Sequence, residues 1–176
     1  MTRTTLTLVP EIVDAVPDVP VVAAGGIADG RGLAAVLMLE ADGVLMGTRF
    51  YASQEAQGHP EAKQRIIKAG GDDTLRSIVF DISRRNVWPQ PYTGRVLRNA
   101  HAEHWYGREA ELLEHQDEEA QRYAEARERG DFDVAAVIAG DAVALIHDAP
   151  RAAEIVDRII LEAEARLARG ARMIVS

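Results

Sequence analysis

The chain has 176 residues, 47% of them hydrophobic, no cysteine, and a formal net charge of −8. That acidity argues against a nucleic-acid or anionic-membrane surface, and the lack of cysteine excludes a disulfide framework, a thiolate metal site and a cysteine nucleophile. No apolar run approaches the ~20 residues of a membrane-spanning helix and no basic-then-apolar leader opens the sequence, so the expectation is a soluble, cytoplasmic protein.

Met1 to Thr7 is polar and threonine-rich. Val9, Ile12, Val13 and Val16 form a helical stripe, with Pro10 expected in the first turn and Pro17-Asp18 as the stop. Val19 to Ala24 is almost wholly apolar, as in a strand buried on both faces of a parallel sheet. Gly25-Gly26 ends it, Ile27-Ala28 crosses over, and Asp29 is placed to cap a helix. That helix carries Leu33, Val36, Leu37 and Leu39 on one stripe, and Gly30 and Gly32 strip side-chain bulk from its start. Asp42-Gly43 is a turn, Gly43 to Met46 a second buried strand, and Gly47-Thr48 a second turn before Arg49-Phe50.

Pro60 to Ala69 reads as a helix, with His59 able to cap it and Gly70-Gly71 stopping it. Asp72-Asp73-Thr74 is a turn, and Leu75 to Ile82 a strand or extended packed segment. Asn86 to Gly94, with two prolines and a glycine, is loop. Gly107 to Arg129 is a charged, alanine-rich solvated helix. Asp131 to Ile146 reads as an apolar helix through Val134, Val137, Ile138 and Val143. In the last helix Asp148 is the cap, Pro150 lies in the first turn, Ala152, Val156, Ile159, Ile160, Ala163 and Leu167 form the stripe, and Gly170 is the end.

The chemistry concentrates in the first fifty residues. A compact βαβ unit puts both strand ends on one side of the sheet, so Gly25-Gly26 and Gly47-Thr48 face one concavity, where backbone N–H groups suit a phosphate. A pair of tight turns with no ligand is the alternative. Arg49 either lends charge to that anion or closes a strand-end ion pair. The dinucleotide pattern G-x-G-x-x-G is absent. Of the histidines, His101 and His104 are three apart but lack an acidic third metal ligand. No G-x-S-x-G elbow and no convincing acid–base pair stands out. Trp88 and Trp105 read as packing anchors.

AAGGIADGRGLAAVL followed by ADGVLMGTRF closely resembles the flavin-binding half of the nitronate monooxygenases, once called 2-nitropropane dioxygenases, which are FMN-dependent TIM-barrel enzymes. Related flavin-containing enoyl-ACP reductases share both motifs. The tryptophan-proline loop, Arg95 to Asn99 and Trp105 to Glu109 extend the resemblance and favour the nitronate enzymes, and Ala139 to Val143 resembles a segment at the family's barrel mouth. One departure is Glu40, where the family usually has glycine.

The resemblance implies an α/β fold formed by the C-terminal part of a TIM barrel, its last two βα units, with a mainly helical appendage. It divides the chain into barrel strands at 1–55, a helix- and loop-rich region at 56–130 and helices packing back on the barrel at 131–176. It implies FMN as cofactor, with its phosphate held by Gly25, Gly26, Gly47 and Thr48 and flanked by Met46 and Arg49. It implies an alkyl nitronate and O₂ as substrates. A full TIM barrel takes about 250 residues, so the chain is expected to start after the family's catalytic histidine, and none of its own histidines matches that residue. Two arrangements then stand open: a homo-oligomer, or a chain completed by an N-terminal half. A non-catalytic remnant and an enoyl-ACP reductase relative are the alternative functions.

Overall fold

The computed structural model describes residues 3–86, 88–89 and 91–174. Thr2 of the polar start, and Val87 and Gln90 of the Asn86–Gly94 loop, lie outside the described residues. Two compact units form, Gly58–Asp141, and Thr2–Gln57 with Ala142–Ser176.

The terminal unit begins with α1 (Thr5–Ala15). This helix starts earlier than its apolar stripe suggests, so Pro10 lies inside it and not in the first turn. Next come β1 (Val22–Ala24), α2 (Gly30–Met38), β2 (Gly43–Leu45) and α3 (Gly47–Tyr51). β1 and β2 pair in parallel, Val22 opposite Gly43 and Ala24 opposite Leu45. The Asp29 carboxylate caps α2, accepting from the amides of Arg31 at 3.0 Å and Gly32 at 3.1 Å, as a short acidic side chain at that position should.

The strands differ from expectation in burial. Ala23 is buried, but Val22 is 57% and Leu45 67% exposed. Alternate strand residues point to opposite faces. One face packs into a core of Val9, Ala23, Ile27, Val36, Met46, Ile155 and Ile159. The other meets nothing among the described residues, so a run that reads as buried on both sides is buried on one.

The middle unit holds α4 (Pro60–Lys68), β3 (Thr74–Ser77), α5 (Val79–Ser83), β4 (Gly94–Leu97), α6 (Ala100–Trp105), α7 (Glu109–Glu114) and α8 (Gln116–Arg129). His59 Nδ1 caps α4 by accepting from the Glu61 amide at 3.1 Å. β3 and β4 pair antiparallel, and the apolar stretch 75–82 is therefore half strand and half helix. The charged stretch 107–129 is two helices broken at His115, and one side of it buries Leu112, Tyr123 and Ala126. The α-helix expected over 131–146 does not form; its last part, Asp141–Leu145, is a 3₁₀ helix. Val137 accepts the Leu97 amide at 2.9 Å, and Ile138 bridges to Val96. The edge of β4 takes the backbone of a segment whose branched residues suit a strand as well as a helix, and residues 131–141 group with the middle unit.

The last element, α9 (Ala152–Ile174), belongs to the terminal unit and runs through Gly170 without stopping there. It packs along α2. A Cβ on Gly30 would sit 2.6 Å from the Ala163 nitrogen and the Ile159 carbonyl oxygen, and closer still to the Glu162 side chain. Gly30 is thus the point of closest helix approach. The chain is an α/β protein with a small parallel sheet and a separate small antiparallel one.

Candidate functional site

The parallel register decides where the two glycine turns lie. Ala24 and Leu45 are partners at the ends of β1 and β2, so Gly25-Gly26 and Met46-Gly47-Thr48 leave the same end of the sheet. Gly25 and Gly26 both have positive φ, +102° and +73°, a backbone that side chains resist. Both are exposed, as is Gly47, and a Cβ added at Gly47 would meet open space. Two exposed stretches of backbone thus lie at the carboxyl ends of adjacent parallel strands, the first tied to α1 by the Thr5 hydroxyl, which donates to the Gly25 carbonyl at 2.8 Å; backbone N–H groups in such turns suit an anion. Gly47 is already the first residue of α3, so the second turn is tighter than the sequence suggests.

Met46 is buried in the core beneath the turn. Arg49 is 5% exposed. Its Nη1 donates to Asp148 Oδ1 at 3.1 Å, and its Nη2 donates to the Asp148 main-chain oxygen at 2.6 Å and the Ala52 oxygen at 2.8 Å. Burial lowers the Arg49 pKa, with Asp148 working against it. Of the two roles open for Arg49, the ion pair is the one its contacts show. The Asp148 carboxyl lies below its ordinary value: burial would raise it, and the Arg158 and Arg49 guanidiniums outweigh burial. Asp148 does not cap α9. The Ala152 amide donates to Glu55 Oε2 instead, at 2.8 Å. Asp148 is the participant that sequence reasoning missed, since its partner lies 99 residues away.

A second cluster lies in the middle unit. Ser83 Oγ is 2.8 Å from His101 Nε2, and His101 Nδ1 is 3.4 Å from Glu119 Oε2. All three residues are buried. Burial pushes the His101 pKa down to about 4, against the pull of Glu119. The Ser83 hydroxyl also sits 3.1 Å from the Val79 carbonyl, and the amides of Arg84 and Arg85 are bonded to Phe80 and Ile82. A nucleophile there would have neither access nor an oxyanion hole, so the cluster is structural. No group of three metal-ligating side chains forms among the described residues. Trp105 is buried, whereas Trp88 is 53% exposed.

The sequence profile of the nitronate monooxygenases matches residues 1–162. The chain belongs to the nitronate monooxygenase family. A nitronate monooxygenase of Neurospora crassa is 38% identical over 173 residues, covering 92% of this chain and 44% of that protein. One from Metarhizium robertsii is 40% identical over 128 residues, covering 69% of this chain and 36% of that protein. Among solved structures, FabK of Thermotoga maritima superposes with a TM-score of 0.77 at 30% identity, over 98% of this chain and 53% of that one. A nitroalkane oxidase from Streptomyces ansochromogenes gives 0.75 at 26% identity, over 98% and 45%. The chain therefore spans about half the length of the solved structures it matches and less than half of these two relatives.

Glu40 has φ +66° at the end of α2, a left-handed position where glycine is relaxed and any side chain is strained.

Proposed function

We propose that the terminal unit carries the phosphate grip of an FMN site, on the last two βα units of a TIM barrel, and that the reaction served is oxidation of alkyl nitronates by O₂ to a carbonyl compound and nitrite. The observation that carries this is the shared end of β1 and β2 for the two glycine turns. FMN, when bound, supplies the electron chemistry. Gly25, Gly26 and Gly47 offer their backbone at the phosphate, with Thr48 beside them. Arg49, spent on Asp148, acts from below the turn. The catalytic base is none of the chain's histidines by family motif, and β1 and β2 leave an open apolar face at Val22 and Leu45. Activity on this reading needs further βα units on that face, from a longer chain or a separate one, since bare strand edges and an apolar sheet face invite pairing.

The test is flavin binding followed by turnover. FMN fluorescence is expected to quench on titration with the protein, and O₂ uptake with propyl nitronate is expected only when the open face is completed by the family's other barrel units. No FMN binding in either form would reject the reading. The second reading is an enoyl-ACP reductase relative, with which the likeness to FabK is compatible. Oxidation of reduced nicotinamide with a crotonyl thioester, and none of nitronate, would select it.

A further inference from the structure

The two glycine turns belong to separate βα steps, yet a single distant stretch ties both of the elements that follow them. α2, which follows Gly25-Gly26, has its first amide, Gly30 N–H, donating to Glu162 Oε2 on α9 at 3.0 Å. α3, which starts at Gly47, is held through Arg49, whose fork grips Asp148 just before α9. Asp148 is itself fixed from the other side, accepting from Arg158 Nη1 at 2.7 Å, and Arg158 Nη2 donates to Glu154 at 2.9 Å. The same stretch accepts the Gln54 amide on the Pro150 oxygen at 3.0 Å.

Arg49 is the one buried residue of a five-residue helix. So short a helix has little stability of its own, and its orientation follows from what holds it. A buried guanidinium whose carboxylate is taken away is costly where it sits; loss of the Asp148 carboxylate would leave Arg49 on the main-chain oxygens of Ala52 and Asp148 alone, loosening α3 and Gly47 with it.

We infer that Asp148 is a positioning residue for the cofactor's phosphate, acting through Arg49 to set Gly47 against Gly25-Gly26. This rests on the FMN reading above. Asp148 touches no reacting group; it fixes the distance between two pieces of backbone. Phosphate recognition by preorganised amides degrades steeply with small displacements. Riboflavin, which lacks the phosphate, would have no contact of this kind to lose.

The experiment compares FMN with riboflavin, which lacks the phosphate, by fluorescence titration of the full chain and of its Asp148→Asn variant. Wild type is expected to prefer FMN. Asp148→Asn is expected to lose about tenfold of that preference, the size of one charge-assisted hydrogen bond, with riboflavin binding unchanged. Asp148→Glu should recover part of it. Arg158→Gln, at the exposed end of the same network, gives a smaller loss in the same direction and serves if Asp148→Asn does not fold. An unchanged preference in the variants overturns the inference while leaving the FMN reading intact. Equal weakening of both flavins overturns it too, by reducing Asp148 to a fold residue. A wild type that does not distinguish the flavins removes the reading and the inference together.

Discussion

The two units differ in how far their strands are covered. In the middle unit β3 is buried at three of four positions, Thr74, Leu75 and Ser77, and Ile66, Val79, Phe80 and Leu112 are sealed from solvent. In the terminal unit β1 alternates exposed, buried, exposed, and the end of β2 is open. One unit spends its apolar residues on itself. The other keeps a strand face bare directly beside its glycine turns. The middle unit thus holds a buried polar cluster, whereas the terminal unit, over its core of Val9, Ala23, Met46, Ile155 and Ile159, exposes backbone at two glycine turns and an apolar strand face beside them.

The largest effects should come from the middle unit. Leu112→Ala or Phe80→Ala is expected to cost about 3–5 kcal/mol in urea unfolding, whereas Leu45→Ala, already exposed, should cost less than about 1 kcal/mol. Similar losses at Leu45 and Leu112 would break the comparison. Acid should also act first on the middle unit. His101 is neutral in the fold down to about pH 4 but gains its proton near pH 6.5 once unfolded. The unfolded state therefore takes up the proton first, and stability falls as the pH drops from about 6.5 to about 4, by about 3 kcal/mol. His101→Gln should flatten that slope in denaturant midpoints measured across pH. A slope unchanged in the variant assigns the acid sensitivity elsewhere.

In the terminal unit, Gly30→Ala is expected to cost about 1–3 kcal/mol by forcing α2 from α9, read as a lower melting temperature. The smallest change is a gain. Glu40→Gly relieves a left-handed residue and should stabilise by roughly 1 kcal/mol. Loss of stability there would mean that the Glu40 side chain contributes more than its backbone costs.

Local signals carried the site further than the fold. The Asp29 and His59 caps join residues two or three positions apart, and the shared strand end follows from the compact βαβ connection between β1 and β2, so the sequence shows them. The strand edge that captures Val137 and Ile138 is set by β4, some forty residues upstream, and a periodicity of branched residues does not announce it. The half-burial of β1 is invisible for a related reason, since Val22 looks the same whether or not something covers it. The Arg49–Asp148 pair is the clearest case. An arginine next to a glycine turn reads equally as an anion ligand or as an ion-pair partner, and only three dimensions supply the aspartate. Glu40 was legible as a departure from the family, and its backbone angle supplies the reason.

On the proposed reading, two neighbouring stretches of exposed backbone hold one phosphate. Phosphorus NMR of FMN titrated with the protein tests it at the atom concerned. The phosphorus resonance is expected to shift and broaden on binding, and to return to the free position in Gly47→Val. FMN that binds with its phosphorus signal unmoved, or moves it equally in Gly47→Val, would contradict that reading.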